Sequence, residues 1–451
     1  MIKCKVPGLI AFPYVKIEKW NLFFVLIFFY FLTLSGDQLH LQITLFKCKV
    51  NHLLAIGLFG MLACSGRLQI AQRSFLTGFL ALLSSILIST LVSFHMFRSA
   101  GYLAVYLFTY AVYFLVPLSL MLLVDKEKLL RVYLFSFFVI GAHAALQFLI
   151  SFFGVYDPFV KQLTMGSVAR GQSWTYEPSF YALYAMPFVF FCNLYYLLSS
   201  KDKSDSSSLV KIILINFCFL ASTSTSAFFS YFVFFLTLVP FYFLKFRKAF
   251  FPLLSRRLWK FAVVFFAIFS GAGLFFSNIF IDTFYKFFHV GFFSHVSFVA
   301  RWNGIVAAWE VFCEHPFFGA GIGGVGPFLY LKELYNSADV VLTGETLDML
   351  EPFDPTNVFT EVLASLGVYG MAVLAAIGFF VCRLFLRALS DARISEVERK
   401  TIFALFVSAI VMIVCLQFNQ GLFRSYIWVH MGMSIGYVLR SIERETLSQE
   451  R

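Results

Sequence analysis

Long apolar runs separated by short polar connections recur along almost the whole chain. A helix that crosses a bilayer needs roughly 17 to 25 mostly apolar residues. Runs of that kind fall at about 20–36, 48–66, 75–95, 101–124, 130–153, 179–199, 209–222, 225–244, 261–281, 357–382, 402–420 and 425–441. The pattern predicts an all-α, polytopic membrane fold with about 12 transmembrane helices. Lys47 and Lys49 stand at the entrance of the second run, and Ala221-Ser222-Thr223-Ser224-Thr225-Ser226 separates the seventh from the eighth. That polar stretch reads either as a tight turn between two short spans or as a kink in one long helix, because Ser and Thr can bond back to helix carbonyls.

The longer polar stretches divide the chain. Residues 1–153 form an N-terminal set of membrane helices, 154–178 a first external loop, 179–281 a central set, 282–356 a large external loop, and 357–451 the C-terminal helices and tail. Loops this long between spans are usually functional. The large loop opens with an amphipathic helix: Phe298, Trp302, Ile305, Trp309 and Phe312 recur at intervals of four and three, a stripe suited to the membrane surface or the helical bundle.

Composition agrees with the pattern. At 60% hydrophobic and 13% charged residues, the chain has too little polar material to cover a water-soluble surface. The formal charge of +11 suggests a polyanion until its placement is considered. Lys and Arg cluster in alternate connections, at Lys126–Arg131, Lys201–Lys203, Lys245–Lys260 and Arg383–Lys400. Roughly 26 of the 35 basic residues fall on one side of the membrane, which the positive-inside rule makes the cytoplasm. Charge thus reports orientation, with both termini cytoplasmic and the two long loops outside, and implies no nucleic acid. The eight cysteines show no metal-binding spacing. No small-residue cleavage site follows the first apolar run, so the first helix is expected to remain as an anchor.

Candidate chemistry concentrates in the two external loops. The first ends in Arg170-Gly171-Gln172-Ser173-Trp174-Thr175-Tyr176-Glu177-Pro178-Ser179. Glu177 stands either as a carboxylate favoured by the helix dipole or as a group that orients or deprotonates a hydroxyl. Arg170 is either an interfacial charge or an anion ligand. Arg301 borders the aromatic stripe of the second loop, where it can snorkel to the lipid phosphates or grip a diphosphate with its planar fork. His315-Pro316 then leads into Gly319-Ala320-Gly321-Ile322-Gly323-Gly324, a tight backbone path with exposed N–H groups but without the Lys-Ser/Thr of a nucleotide loop. Asp339 to Asp354 carries five carboxylates, either a solvated acidic loop or a grip for sugar hydroxyls. The loop closes on Asn357, with Gly367 and Gly370 permitting close helix contact.

Taken in order, Arg170 to Ser179, Arg301, His315-Pro316 with Gly319 and Gly321, and Asn357 to Gly370 resemble the O-antigen polymerase and ligase superfamily of membrane glycosyltransferases. The resemblance implies a GT-C-like helical fold in the bacterial inner membrane and undecaprenyl-diphosphate-linked oligosaccharides as substrates. It implies no cofactor or metal. Membrane lipids, a chain-length regulator protein and a flippase are the partners it suggests. It assigns catalysis to Glu177, Arg301 and Arg170, and substrate binding to Arg170, Arg301, His315 and Asn357. The ligase branch carries a His directly before the Asn, where this chain has Thr356, a difference that points to a polymerase. A ligase that transfers polymer to lipid A core, and a transporter of lipid-linked oligosaccharides, are the competing classes. Transport favours charges within spans and short loops, which is not the pattern here.

A reporter active only in the periplasm should therefore be active when fused after Asn336 and silent when fused after Lys203. The reverse result would invert the assignment of both loops.

Overall fold

The computed structural model describes residues 21–43, 46–69, 73–93, 95–164, 168–199, 206–243, 296–326, 328, 357–417 and 424–449. The expected span at 261–281, the acidic run from Asp339 to Asp354 and Thr356 lie outside the described residues. Within them the apolar runs are helical: α1 (Asn21–Leu32), α2 (Val50–Cys64), α3 (Arg73–Leu91), α4 (Met96–Leu123), α5 (Lys126–Ser151), α6 (Pro178–Ser199), α7 (Ser206–Leu220), α8 (Thr225–Phe243), α9 (Val296–Glu314), α10 (Val358–Ser390), α11 (Glu396–Cys415) and α12 (Ser425–Gln449). Four of these, α4, α5, α6 and α10, are long and apolar enough to cross a membrane, and several others are shorter apolar helices. The protein is a mostly helical, multi-pass membrane protein.

Two short antiparallel hairpins modify the all-α expectation: β1 (His40–Ile43) with β2 (Phe46–Lys49), and β3 (Leu163–Thr164) with β4 (Val168–Ala169). In β1 the order His-Leu-Gln-Ile has the period of two of a strand. Its pairing of His40 with Lys49 holds the chain extended until Val50. The Ser/Thr run is a tight turn, with Thr223 at φ 45° and its N–H bonded to the Leu220 carbonyl at 2.9 Å.

Helix α6 lies at the centre, buried along nearly its whole length and packed chiefly on α11. Helix α12 packs along the second half of α4. There a Cβ on Gly432 would come within 2.7 Å of the Phe114 carbonyl, and one on Gly436 within 2.8 Å of Met121 Cβ. Two small residues four apart let the backbones approach this closely. Pro117 has no N–H and crowds the carbonyl four residues back, and α4 responds with a wide π turn over Tyr110–Leu115. The Tyr30 hydroxyl donates to the Val112 carbonyl there at 3.0 Å.

Helix α10 is broken at Gly367 (φ 66°, ψ −166°). A break in a membrane helix frees backbone groups that hydrocarbon cannot satisfy. Here the segment after α9 takes them up. Ala320 N donates to the Ala364 carbonyl at 2.8 Å and Gly321 N to the Ser365 carbonyl at 3.2 Å, while Val368 N and Tyr369 N donate to the carbonyls of Pro316 and Phe317 at 2.8 and 3.2 Å. Ser89 Oγ adds a bond to the Ser365 carbonyl at 2.5 Å. The contact is so close that a Cβ on Gly319 would lie 2.2 Å from the Ser365 backbone, and one on Gly367 2.3 Å from the Phe317 carbonyl oxygen. Both glycines also have positive φ. The exposed N–H groups expected along this stretch are therefore corrected: those of Gly319, Ala320, Gly321 and Gly324 are bonded to chain carbonyls.

Helix α9 packs on α10 through Gly304, Ala308 and Val311, and turns Trp302 and Trp309 outward. Of the two surfaces the aromatic stripe could face, Trp302 and Trp309 do not face the bundle.

Polar contacts gather at two opposite ends of the bundle. At one, Lys126 is paired with Glu398 and donates to Ser441 Oγ at 2.8 Å, Tyr437 donates to Glu127 at 2.7 Å, and Arg440 caps the carbonyls of Met121 and Val124. At the other lie the connections following α1, α5, α7 and α11.

The seam at Gly367 should be intolerant of any side chain. Gly319→Ala should lower the thermal midpoint of the detergent-solubilised protein by the equivalent of about 1–3 kcal/mol, the cost of a strained backbone. Gly57→Ala, on an open face with nothing within 4 Å, should leave it nearly unchanged. Equal midpoints for the two variants would contradict this account of the break.

Candidate active site

The connection from residue 154 to 178 is built by buried amides rather than by a hydrophobic core. Gln147, on the last turns of α5, accepts from the N–H groups of Gln172 and Ser173 at 3.1 and 2.7 Å. Its Nε2 donates to Asp157 Oδ1 at 3.1 Å. Gln172 in turn donates to the carbonyls of Phe159 and Thr175 at 2.7 and 3.1 Å. Gln38, following α1, donates to the same two carbonyls at 2.8 and 2.6 Å. Gly171 threads between α5 and the end of α7, where a Cβ would lie 2.6 Å from the Ala144 carbonyl oxygen.

His143 joins this lattice, one ring nitrogen 3.0 Å from Ser173 Oγ and the other 3.2 Å from Asp157 Oδ2. Ser173 holds a left-handed backbone (φ 51°). Partial burial alone would raise the Asp157 pKa, but the Phe159 N–H and the side chains of His143 and Gln147 together hold it below the usual carboxylate value.

Arg170 lies where the loop meets the α7–α8 turn. Its Nε donates to the Ser222 carbonyl and Thr223 Oγ1 at 3.4 and 3.2 Å, Nη2 to the Thr223 carbonyl at 3.3 Å, and Nη1 to Gln162 Oε1 at 3.0 Å. Burial pulls its pKa below the ordinary guanidinium value, and the charge of Glu177 acts the other way. Glu177 is exposed immediately ahead of α6. Its carbonyl receives the N–H groups of Phe180 and Tyr181 at 3.1 Å, and its Oε2 accepts from Ser179 Oγ at 3.0 Å. Pro178 needs no donor at this first helical position. The arrangement leaves a carboxylate at the surface within electrostatic reach of a half-buried guanidinium.

The second-loop residues are placed differently. Asn357 caps α10, Oδ1 accepting from Thr360 N at 2.9 Å, and its Nδ2 donates to the Gln417 carbonyl at 2.9 Å. That cap is its visible work. His315 is exposed beside the Phe328 ring, 5.2 Å between centroids, and its carbonyl accepts from Gly319 N at 3.0 Å. Arg301 lies in the first turns of α9. Arg170 and Glu177 thus lie within range of each other's charge without a direct bond between them; among the described residues no contact joins either of them to His315 or Asn357.

Sequence reasoning missed His143, Gln147, Asp37, Lys49 and Arg424. A signal existed for the first two: a His and a Gln four residues apart share one face of an otherwise apolar span, where polar residues are costly. The Arg424–Asp37 pairing had none, since 387 positions (424 minus 37) separate partners that each stand in a short connection.

No curated protein matches the chain at a significant level. Residues 209–375 match the family described as O-antigen ligase. The match begins in α7, includes the turn that receives Arg170, and runs past the break in α10. Over this segment the chain is similar to the O-antigen polymerase and ligase superfamily.

Proposed function

We propose that the chain is a glycosyltransferase that joins undecaprenyl-diphosphate-linked oligosaccharide units into O-antigen, exopolysaccharide or capsule chains on the outer face of the bacterial inner membrane. The observation that carries this reading is Arg170, whose bonds to Ser222 and Thr223 fasten the Arg170–Glu177 loop onto the segment that matches the family. The basic bias of the alternate connections supports the outward placement of this loop.

In the reaction, an acceptor sugar hydroxyl attacks the anomeric carbon of a lipid-linked chain. A new glycosidic C–O bond forms as the bond to undecaprenyl diphosphate breaks, and Glu177 takes the hydroxyl proton. A diphosphate leaves readily, so the protein's task is to hold geometry and stabilise charge. Arg301 serves this on the diphosphate. Arg170 contributes its charge from behind the loop, since its donors hold the turn. His315 and Asn357 act at the margin of the substrate path, Asn357 by fixing the start of α10. A flippase would deliver the units, and a chain-length regulator would act on the product.

Thr356 in place of a His before Asn357 favours polymerase over ligase. The family description itself favours the second reading, a ligase that moves finished polymer to lipid A core.

A deletion strain separates the two. Single repeat units on the cell surface indicate a lost polymerase, whereas long chains left on the lipid carrier indicate a lost ligase and would overturn the first reading. Complementation with Glu177→Gln should restore normal protein levels, since a lost helix-dipole interaction is worth only about 0.3–1 kcal/mol. It should restore less than about a tenth of polymer, the scale of a lost general base. Near-normal chains from Glu177→Gln would return Glu177 to a helix-start role.

A further inference from the structure

Ser173, between Arg170 and Glu177, is fully buried and holds a left-handed backbone (φ 51°) that a residue with a Cβ adopts only when its surroundings impose it. Two side chains one turn apart on α5 impose it here. The Ser173 N–H donates to Gln147 Oε1 at 2.7 Å, its carbonyl accepts from Gln147 Nε2 at 3.2 Å, and its Oγ lies 3.0 Å from His143 Nδ1. Asp157 stands behind both: Oδ2 faces His143 Nε2 at 3.2 Å, while Oδ1 accepts from Gln147 Nε2 at 3.1 Å and from the Phe159 N–H at 2.8 Å. The order Asp157, His143, Ser173 is that of an activated nucleophile, but a fully buried hydroxyl meets no substrate, so the arrangement serves another purpose.

An ionised carboxylate only accepts, so the Nε2 that faces Asp157 carries a proton and donates. In the neutral ring Nδ1 is then an acceptor, and the Ser173 hydroxyl donates to it. Every donor along this line has an acceptor. The line continues to Glu177, because the Thr175 hydroxyl bridges the carbonyls of Gln172 and Glu177 at 2.7 and 2.8 Å. The Glu177 carbonyl in turn receives the first N–H groups of α6. A turn of Ser173 out of its left-handed conformation therefore shifts the point where α6 begins and the carboxylate that stands there.

We infer that His143 is a positioning residue for the transfer: fixed as its Nε2–H tautomer by Asp157, it accepts the Ser173 hydroxyl and so locks the backbone that places Glu177 relative to Arg170. The inference rests on the reading of this connection as part of a sugar-transfer site. Neither His143 nor Asp157 lies in the segment that matches the family.

The test is an isosteric exchange. In Asp157→Asn the place of Oδ1, which receives two donors, takes the amide oxygen, and the amide nitrogen is turned toward His143. Nε2 must then accept, Nδ1 carries the proton, and the buried Ser173 hydroxyl is left without an acceptor. Nitrogen NMR spectra of the full-length protein labelled at histidine, at a mildly alkaline pH where ordinary histidines are neutral and with His143→Gln to assign the signal, should show the Nε2–H tautomer in wild type and the Nδ1–H tautomer in Asp157→Asn. A protonated Nδ1 in wild type, or no change of tautomer in the variant, overturns the inference. In liposomes supplied with the lipid-diphosphate repeat unit, Asp157→Asn should lose kcat about tenfold or more at nearly unchanged KM, as expected of a misplaced catalytic group rather than a lost binding contact. Thermal midpoints establish folding, and Ser173→Ala, which removes only the hydroxyl, serves if Asp157→Asn does not fold. The two losses should not add in the double variant, because both act through one hydroxyl. Additive losses, or wild-type kcat in either folded variant, overturn the inference and leave the transferase reading standing. Wild type that forms no chains overturns that reading, and the inference with it.

Discussion

A bilayer leaves no water for a backbone group released from its helix, and that constraint explains the most irregular part of this structure. Helix α10 stops at Gly367 and restarts, and the carbonyls and N–H groups released on either side are met by Pro316 to Gly321. The glycines there serve contact between two backbones, since a Cβ at Gly319 or Gly367 would fall inside the opposing chain. Ser89 of α3 and Ser93, just beyond its end, close the seam by donating to the carbonyls of Ser365 and Ala320. The α9–α10 unit therefore has a fixed geometry, which sets where the large loop leaves and rejoins the bundle.

The same constraint sorts the remaining polar groups. Some of those within the apolar layer are paired among themselves: Asn193 with Asn216 in a reciprocal amide pair, and His430 between Tyr133 and Ser408. Charged groups lie at the two ends. At the end that bears Glu177, the first loop has almost no apolar core and is held by Gln38, Gln147 and Gln172 through backbone groups. Such a lattice fixes a loop beside water without burying it, which suits the proposed encounter with a large, hydrophilic sugar chain. It also explains why a guanidinium as engaged as Arg170 belongs to the site: its contacts anchor the turn, and its charge still reaches Glu177.

Hydropathy made the helices legible, because length and apolar content alone decide whether a segment can span a bilayer. It was silent on the interruptions. The π turn ahead of Pro117 was not foreseen, and Gly367 read as a packing residue although its φ is positive and the helix breaks there. Glycines at 319 and 321 were visible as backbone freedom; that the Gly321 N–H would be taken by Ser365 of α10 depends on a partner more than forty residues away. Arg170 and Glu177 were found because they share one short segment. Arg424 and Asp37 were not, because nothing in two separate connections tells that they meet. The Thr-for-His difference at 356 was legible only by resemblance.

The central claim is that this end of the bundle transfers a sugar chain from a lipid diphosphate. Its most direct test is a reconstitution in which purified protein in liposomes is given the labelled lipid-diphosphate repeat unit and no nucleotide sugar. The account predicts chains of two or more units with stoichiometric release of undecaprenyl diphosphate. Repeat units that cross the bilayer but remain single, with no diphosphate lipid released, would contradict it and identify a transporter.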